Sequence, residues 1–306
     1  DGEPATGGRG RGEDAVRQLA EGRVAVVGLG LMGGSLAGAL RGRCRAVVGV
    51  ARRTQTIEAA LARGLVDQGT TDLASGVRQA DVVILATPVR AILHTLDEIG
   101  PLLPRGCLLM DLGSTKAHIV ARMAALPGHV QPLGGHPMCG KEVSGIEAAD
   151  PALYRGHTFV LTPLARTSEA ALAQGHALVK AAGGRPLILT PERHDRLLAA
   201  VSHLPYLLAC GLVGTAEAMA SADPLVWDVA ASGFRDTSRL AASDVTMMLD
   251  ILLTNREPVL EALETCDRQL HHLIQLIGSS DEEGLRAVLA DARERRSETW
   301  NLKPET

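Results

Sequence analysis

Val24-Ala25-Val26-Val27-Gly28-Leu29-Gly30-Leu31-Met32-Gly33-Gly34-Ser35-Leu36 decides how the chain is read. Residues 24–27 are a short apolar run of β-forming side chains, 28–34 a turn, and 35–40 an apolar helix. Gly28, Gly30 and Gly33 form a G-x-G-x-x-G pattern. The first glycine permits the turn, the second lets backbone approach a pyrophosphate, and the third lets helix and sheet pack closely. The helix N-terminus then offers free N–H groups and partial positive charge to phosphates. Among 33 glycines a lone match is weak, but this one follows the first apolar strand and opens a helix. The bland alternative is a glycine-rich turn with no ligand. On the sharper reading Gly28, Leu29, Gly30, Leu31, Met32 and Gly33 hold a dinucleotide, and Thr87-Pro88, ending a later strand, lines the same cofactor.

Working outward, strands are expected at 46–50, 82–86, 107–112, 130–133, 158–161 and 186–189, and helices at 56–63, 89–99, 115–126 and 168–182. That alternation implies right-handed βαβ units. The fold expected is α/β: an N-terminal Rossmann-type doubly wound sheet over 21–190, followed by an all-helical C-terminal domain over 191–306. Residues 1–20 read as a flexible leader ending in a short helix over 13–20. After residue 190 no strand pattern recurs; Pro205 should kink one helix, Pro224 and Pro258 punctuate others, and 278–281 is a turn. So apolar a helical half buries its surface either in its own core or in a homodimer, for example around Leu252, Leu260, Leu263, Leu270 and Leu273.

Composition narrows the class. With 31 Lys and Arg against 35 Asp and Glu, net −4, no broad attraction to nucleic acid or anionic membrane is expected. Cys44, Cys107, Cys139, Cys210 and Cys266 are scattered and odd in number, which suits a reducing compartment and neither disulfides nor zinc. His271-His272 point to different helix faces, so no metal site is expected there. Residues 1–12 are polar, unlike a signal peptide, and no apolar run is read as reaching the roughly 20 residues of a membrane span. A cytoplasmic protein is expected.

The end of the second strand bears on the cofactor. An acid about 20 residues past the glycines would bind the ribose hydroxyls of NAD. Here Ala51-Arg52-Arg53-Thr54 follows the strand, and two guanidiniums suit the extra phosphate of NADP. NADP is therefore expected over NAD, with solvated surface charges as the alternative.

Two further segments end strands at the edge where such sheets place chemistry. Asp111-Leu112-Gly113-Ser114-Thr115-Lys116 precedes a helix, where Ser114 is either an N-cap or a site residue. Gly134-Gly135-His136-Pro137 holds His136 between residues that fix backbone shape, as suits a general base. Taken alone, a satisfied structural histidine is the reading to prefer.

The strings GLGLMGGSLAGAL (28–40), DLGSTK (111–116) and GGHPMCGKEVSGIE (134–147) occur in order with His194-Asp195, SHLPY (202–206) and SGFRDTSRLAASD (232–244). Together they resemble the prephenate/arogenate dehydrogenases of tyrosine biosynthesis over roughly residues 23–275, and the Arg52-Arg53 segment resembles the NADP-using arogenate enzymes most. The resemblance implies NAD(P)-dependent oxidative decarboxylation of a cyclohexadienol. His136 would draw the hydroxyl proton, Ser114 would hydrogen-bond the hydroxyl or the histidine, and Arg239 would clamp a substrate carboxylate. Tyr206 would border the substrate; His203 is either substrate-side or a helix-packing residue facing the cleft, and Glu142 is either substrate-side or a gating or surface residue. Tyr206 stands where some relatives carry histidine, and Lys141-Glu142 where others carry Thr-Glu or small residues. Glu142 would favour the ammonium of arogenate over the keto acid of prephenate. A β-hydroxyacid dehydrogenase would need a lysine in the helical half, and residues 191–302 have none. A non-catalytic NADP sensor would not need Ser114, His136 and Arg239 together.

Overall fold

The computed structural model describes residues 7–141 and 143–301. One sheet contains β1 (Arg23–Val27), β2 (Ala46–Val50), β3 (Gln68–Thr70), β4 (Val82–Leu85), β5 (Leu108–Asp111), β6 (Gln131–Pro137), β7 (Thr158–Pro163) and β8 (Arg185–Ile188). Their order is β3-β2-β1-β4-β5-β6-β7-β8, with every pair parallel except β6 and β7. The order reverses between β1 and β4. The crevice at the carboxyl ends of those strands is where open α/β sheets bind ligands.

The sheet is covered on both faces because its central strands are apolar at every position but Arg23 and Asp111. Val24, Val26, Ile84, Leu108 and Met110 enter one core with side chains of α1 (Gly7–Glu21), α2 (Leu31–Leu40), α3 (Thr54–Ala62) and, farther along the chain, a helix over Glu169–Ala181. Ala25, Val27, Val83, Leu85 and Leu109 enter the other with α4 (Leu73–Val77), α5 (Val89–Ile99) and α6 (Ala117–Ala124). The Glu169–Ala181 helix, α7, is capped by Ser168 Oγ, which accepts from Ala171 N. This is the doubly wound Rossmann arrangement expected from the sequence.

Three local expectations are corrected. The helix expected over 13–20 begins at Gly7 and packs on α7 through buried Ala15 and Leu19; residues 1–6 lie outside the described residues. β3 and α4 were not expected, because a three-residue edge strand of Gln-Gly-Thr carries no apolar period. The third concerns length. α8 (Pro191–Leu198), a π-helical turn (Ala199–His203) and α9 (Leu204–Ala220) run on as one 30-residue helix containing an 18-residue stretch of mean hydropathy 1.7, long and apolar enough by composition to cross a membrane. The wide turn lies just before Pro205, which has no N–H to donate and whose ring crowds the preceding turn, so the expected kink takes that form. Its buried polar side chains His194, Asp195 and His203 serve the site described below.

The rest is helical: α10 (Ser232–Ser238), α11 (Val245–Thr254), α12 (Arg256–Gly278) and α13 (Glu282–Asn301). Two carboxylates of this layer sit at N-termini of sheet-flanking helices. Asp195 of α8 accepts from Lys116 N (2.7 Å) and Ala117 N (2.8 Å) at the start of α6. Asp250 of α11 accepts from Arg90 N (3.1 Å) in the first turn of α5. Each anion meets unpaired N–H groups and the positive end of a helix dipole, which fixes the layers in register.

Candidate active site

The glycine turn has the geometry a dinucleotide needs. Gly28 takes φ 99°, open to glycine at little cost, and its N–H continues the β1–β2 ladder to Val50 O (2.8 Å). A Cβ on Gly33 would run into the Gly28 carbonyl, whereas a Cβ on Gly30, the N-cap of α2, would meet nothing within 4 Å. So Gly33 permits the close packing and Gly30 faces open space. Across the turn, Thr87 Oγ1 is buried with no hydrogen-bond partner among the described residues, and its Cγ2 would lie 2.8 Å from a Cβ on Gly28. A buried hydroxyl left unsatisfied beside a cradle is a place for a polar ligand atom. Leu29 and Leu31 are buried, anchoring the turn, Met32 packs partly against the core, and Pro88 is the N-cap of α5. Arg52 and Arg53 lie exposed between β2 and α3, at the carboxyl edge shared with the glycine turn.

His136, near the carboxyl end of β6, is half-buried. Its Nδ1 is 2.8 Å from His194 Nε2, and His194 Nδ1 is 2.7 Å from Asp195 Oδ1. The carboxylate can only accept, so His194 carries its proton on Nδ1 and offers the lone pair of Nε2. That lone pair in turn takes the Nδ1–H of His136. The network thereby leaves His136 Nε2 as the free base. Burial, then the neighbouring His194, Lys116 and His203, hold the His136 imidazole well below its ordinary range, so it is neutral and able to accept a proton. This orienting chain of imidazole, imidazole and carboxylate follows the logic by which a buried acid fixes a catalytic histidine's tautomer.

Beneath it lies a buried ion pair. Lys116 Nζ contacts Asp111 Oδ2 and donates to Gly135 O (2.7 Å), while Asp111 accepts from Gly113 N (2.7 Å) and Gly135 N (3.1 Å). Both polar groups of Gly135, the residue before the histidine, are thus held. Burial pushes the Asp111 carboxyl up and the Lys116 ammonium down, and each charge opposes the other's shift.

The other expected residues are placed unevenly. Ser114 is half-buried in the turn leaving β5, two residues before the N-cap position of α6, where Asp195 does the capping; this removes the N-cap alternative for the serine. His203 is 1% exposed and its Nδ1 lies 3.1 Å from Asn255 Nδ2, which also donates to Asp195 O (2.8 Å). Burial lowers His203 to about 4, against an opposing pull from Asp195. It stands behind the dyad, in a supporting position. Tyr206 is half-buried on α9, its phenol raised by burial and then by Cys210. Arg239 is exposed at the start of a short 3₁₀ turn packed on α9. Glu142 lies outside the described residues. His271 and His272 are exposed, and among the described residues no cluster of His, Cys, Asp and Glu forms a metal site.

Sequence reading singled out His136 but gave no role to His194, Asp195, Lys116 or Asn255. The adjacent His194-Asp195 pair was a visible signal; Asn255 carried none, because its role depends on α11 and α12 meeting α8.

Residues 36–188 match the family described as prephenate dehydrogenase, nucleotide-binding domain, and residues 190–291 match prephenate dehydrogenase, dimerization domain. A prephenate dehydrogenase of Bacillus subtilis (strain 168) is 33% identical over 277 residues, covering 89% of this chain and 75% of that protein. The crystal structure of prephenate dehydrogenase from A. aeolicus in complex with hydroxyphenyl propionate and NAD+ is similar with a TM-score of 0.85 and 33% identity, covering 92% of this chain and 99% of that one. Synechocystis arogenate dehydrogenase is similar with a TM-score of 0.80 and 32% identity, covering 90% and 99%.

Proposed function

The chain belongs to the prephenate dehydrogenase family, and from that membership we propose how its own residues carry out the reaction and which variant of it they favour. It is an NAD(P)-dependent dehydrogenase of tyrosine biosynthesis, converting arogenate or prephenate by oxidative decarboxylation to tyrosine or 4-hydroxyphenylpyruvate. The single observation that carries the mechanism is the His136–His194–Asp195 chain, which presents His136 Nε2 as a neutral base at the carboxyl edge of the sheet.

His136 Nε2 takes the proton of the ring hydroxyl as the carbon bearing it is oxidised. The imidazolium that forms is stabilised through His194 by the Asp195 carboxylate, itself held by two backbone N–H groups. The nicotinamide supplies the two-electron acceptor when bound. Loss of carbon dioxide then leaves an aromatic ring, so the protein needs mainly to position, deprotonate and exclude water. Ser114, in the turn beside β6, orients the hydroxyl or the histidine. Arg239 takes a substrate carboxylate, for which a planar fork with several donors is suited. His203 and Asn255 support the dyad from behind, and Tyr206 borders the substrate with a neutral hydrogen-bonding group.

NADP is the favoured cofactor, since Arg52 and Arg53 follow β2 where an NAD-binding carboxylate would repel the adenosine phosphate. Arogenate is slightly favoured over prephenate on the charge of Glu142. The enzyme works in the cytoplasm as a homodimer joined through the helical half. Side-by-side assays with NADP and the amino or keto substrate test the specificity: a higher kcat/KM for arogenate is expected, and a higher value for prephenate would reverse the assignment.

A further inference from the structure

The segment that follows the catalytic histidine is fastened to the cofactor helix at several points. It leaves β6 at His136-Pro137, with Met138 N bonded to Thr158 O (2.8 Å), and returns through Gly145 at φ 92°. From there residues 146–154 lie across α2 and the end of α3. Asp150 N donates to Ser35 Oγ (2.8 Å), a fully buried hydroxyl in α2. Tyr154 OH donates to the carbonyl of Met32 (2.6 Å), inside the glycine fingerprint itself. Gly34 must lack a side chain because a Cβ there would come within 2.7 Å of Ile146 Cδ1 and 2.9 Å of Ala149 Cβ. From the other side Arg63, just past α3, donates to the Ile146 carbonyl and to Ala149 O (2.7 Å).

We infer that Arg63 is a positioning residue that locks this strap onto the first turn of α2, so that dinucleotide binding and substrate binding reinforce each other. The argument is one of shared ordering. A pyrophosphate on the glycine turn requires the backbone of residues 30–35 to be fixed, and the strap is bonded to that same stretch at Met32 and Ser35. Whichever ligand fixes it first lowers the ordering cost met by the second, which is positive coupling and is reciprocal. The strap begins one residue beyond the base, so what it orders is the wall of the substrate side. Arg63 lies ten residues past Arg53, at the opposite end of α3, and touches neither ligand site. The inference rests on the proposed substrate reading only for what occupies that side.

Hydrogen exchange of peptides spanning residues 138–150 tests it in the full chain, without and with saturating NADP and, in parallel, NAD. In the wild type the bound dinucleotide should slow exchange there at least about five-fold, within the usual span of site-to-site coupling. In Arg63→Met the slowing should fall below about two-fold while cofactor affinity stays within about two-fold and Arg63→Lys restores part of it. Ser35→Ala, which removes one tie and leaves the guanidinium in place, should lose about half the effect. The same wild-type enzyme should bind hydroxyphenyl propionate about five-fold more tightly when loaded with NADP, and Arg63→Met should lose that advantage. Protection in Arg63→Met equal to wild type would overturn the coupling. Failure of the aryl acid to bind, with cofactor-induced protection intact, would overturn the substrate reading and leave the coupling supported.

Discussion

Strands β1, β4 and β5 bury every residue except Arg23, whereas the long helices α9 and α12 bury only Ala209, Val259 and Leu276. Both regions are rich in Ala, Leu and Val. In the sheet those side chains meet helices on both faces; in the helical layer Met219, Val245, Leu270, Ile274 and Ile277 are each between 48% and 65% exposed. Leu260 and Leu270 of the expected dimer face are exposed, and Leu252, Leu263 and Leu273 are half-buried. One region closes its own core, while the other carries an apolar surface of the kind that a second copy covers. The difference also explains where the chemistry sits. The self-contained half holds the glycine turn and His136, and the half with the exposed apolar surface supplies His194 and Asp195, so the base is organised only where the two layers meet.

The sharpest way to break that division of labour is at the base. His136→Asn should lower kcat by about 10³-fold, the scale of a lost general base, while cofactor affinity stays within about two-fold. Loss of both would make His136 a structural part of the sheet half. Next comes the exposed surface. Ile274→Glu with Ile277→Glu places two charges on α12 and should weaken the dimer about 100-fold in sedimentation, at about 1.4 kcal/mol each. An unchanged assembly would show that this face is not the one covered. Asp195→Asn should lower kcat about 30-fold, since an amide orients His194 less firmly and carries no charge to balance an imidazolium. Arg52→Ala should reduce the NADP-to-NAD ratio of kcat/KM about ten-fold, and an unchanged ratio would return that arginine to the solvated surface.

The pH dependence gives the smallest signal. His136 and His203 are both depressed below the ordinary 6.5, His203 to about 4. The unfolded chain therefore takes up protons first as the solution is acidified. Their contribution to stability is complete above pH 6.5 and is lost as the pH falls through that window toward about 4. The acidic limb of kcat/KM should likewise lie below pH 6.5. A limb at or above 6.5 would mean that the base is not held neutral by its surroundings.

The sheet was legible because its signals are local. An apolar run, a glycine turn and a helix start fall within residues 24–40, and each later strand repeats the pattern. β3 was not, because Gln68-Gly69-Thr70 is specified by its neighbour β2 and by nothing in its own side chains. The π turn at 199–203 was legible as a kink, since Pro205 forces one somewhere in that helix. In the site, His136 could be chosen from its place at a strand end. The tautomer that makes it a base could not, because that depends on β6 and α8 meeting 58 residues apart in sequence. Arg63 carried no motif, and its role follows from two carbonyls more than 80 residues away.

A crystal structure with NADP and hydroxyphenyl propionate tests the central claim most directly. The account predicts the phenolic oxygen about 3 Å from His136 Nε2, with His136 Nδ1 still on His194 and the nicotinamide over the ring. A phenol seated elsewhere, or a His136 turned so that Nε2 faces His194, would contradict it.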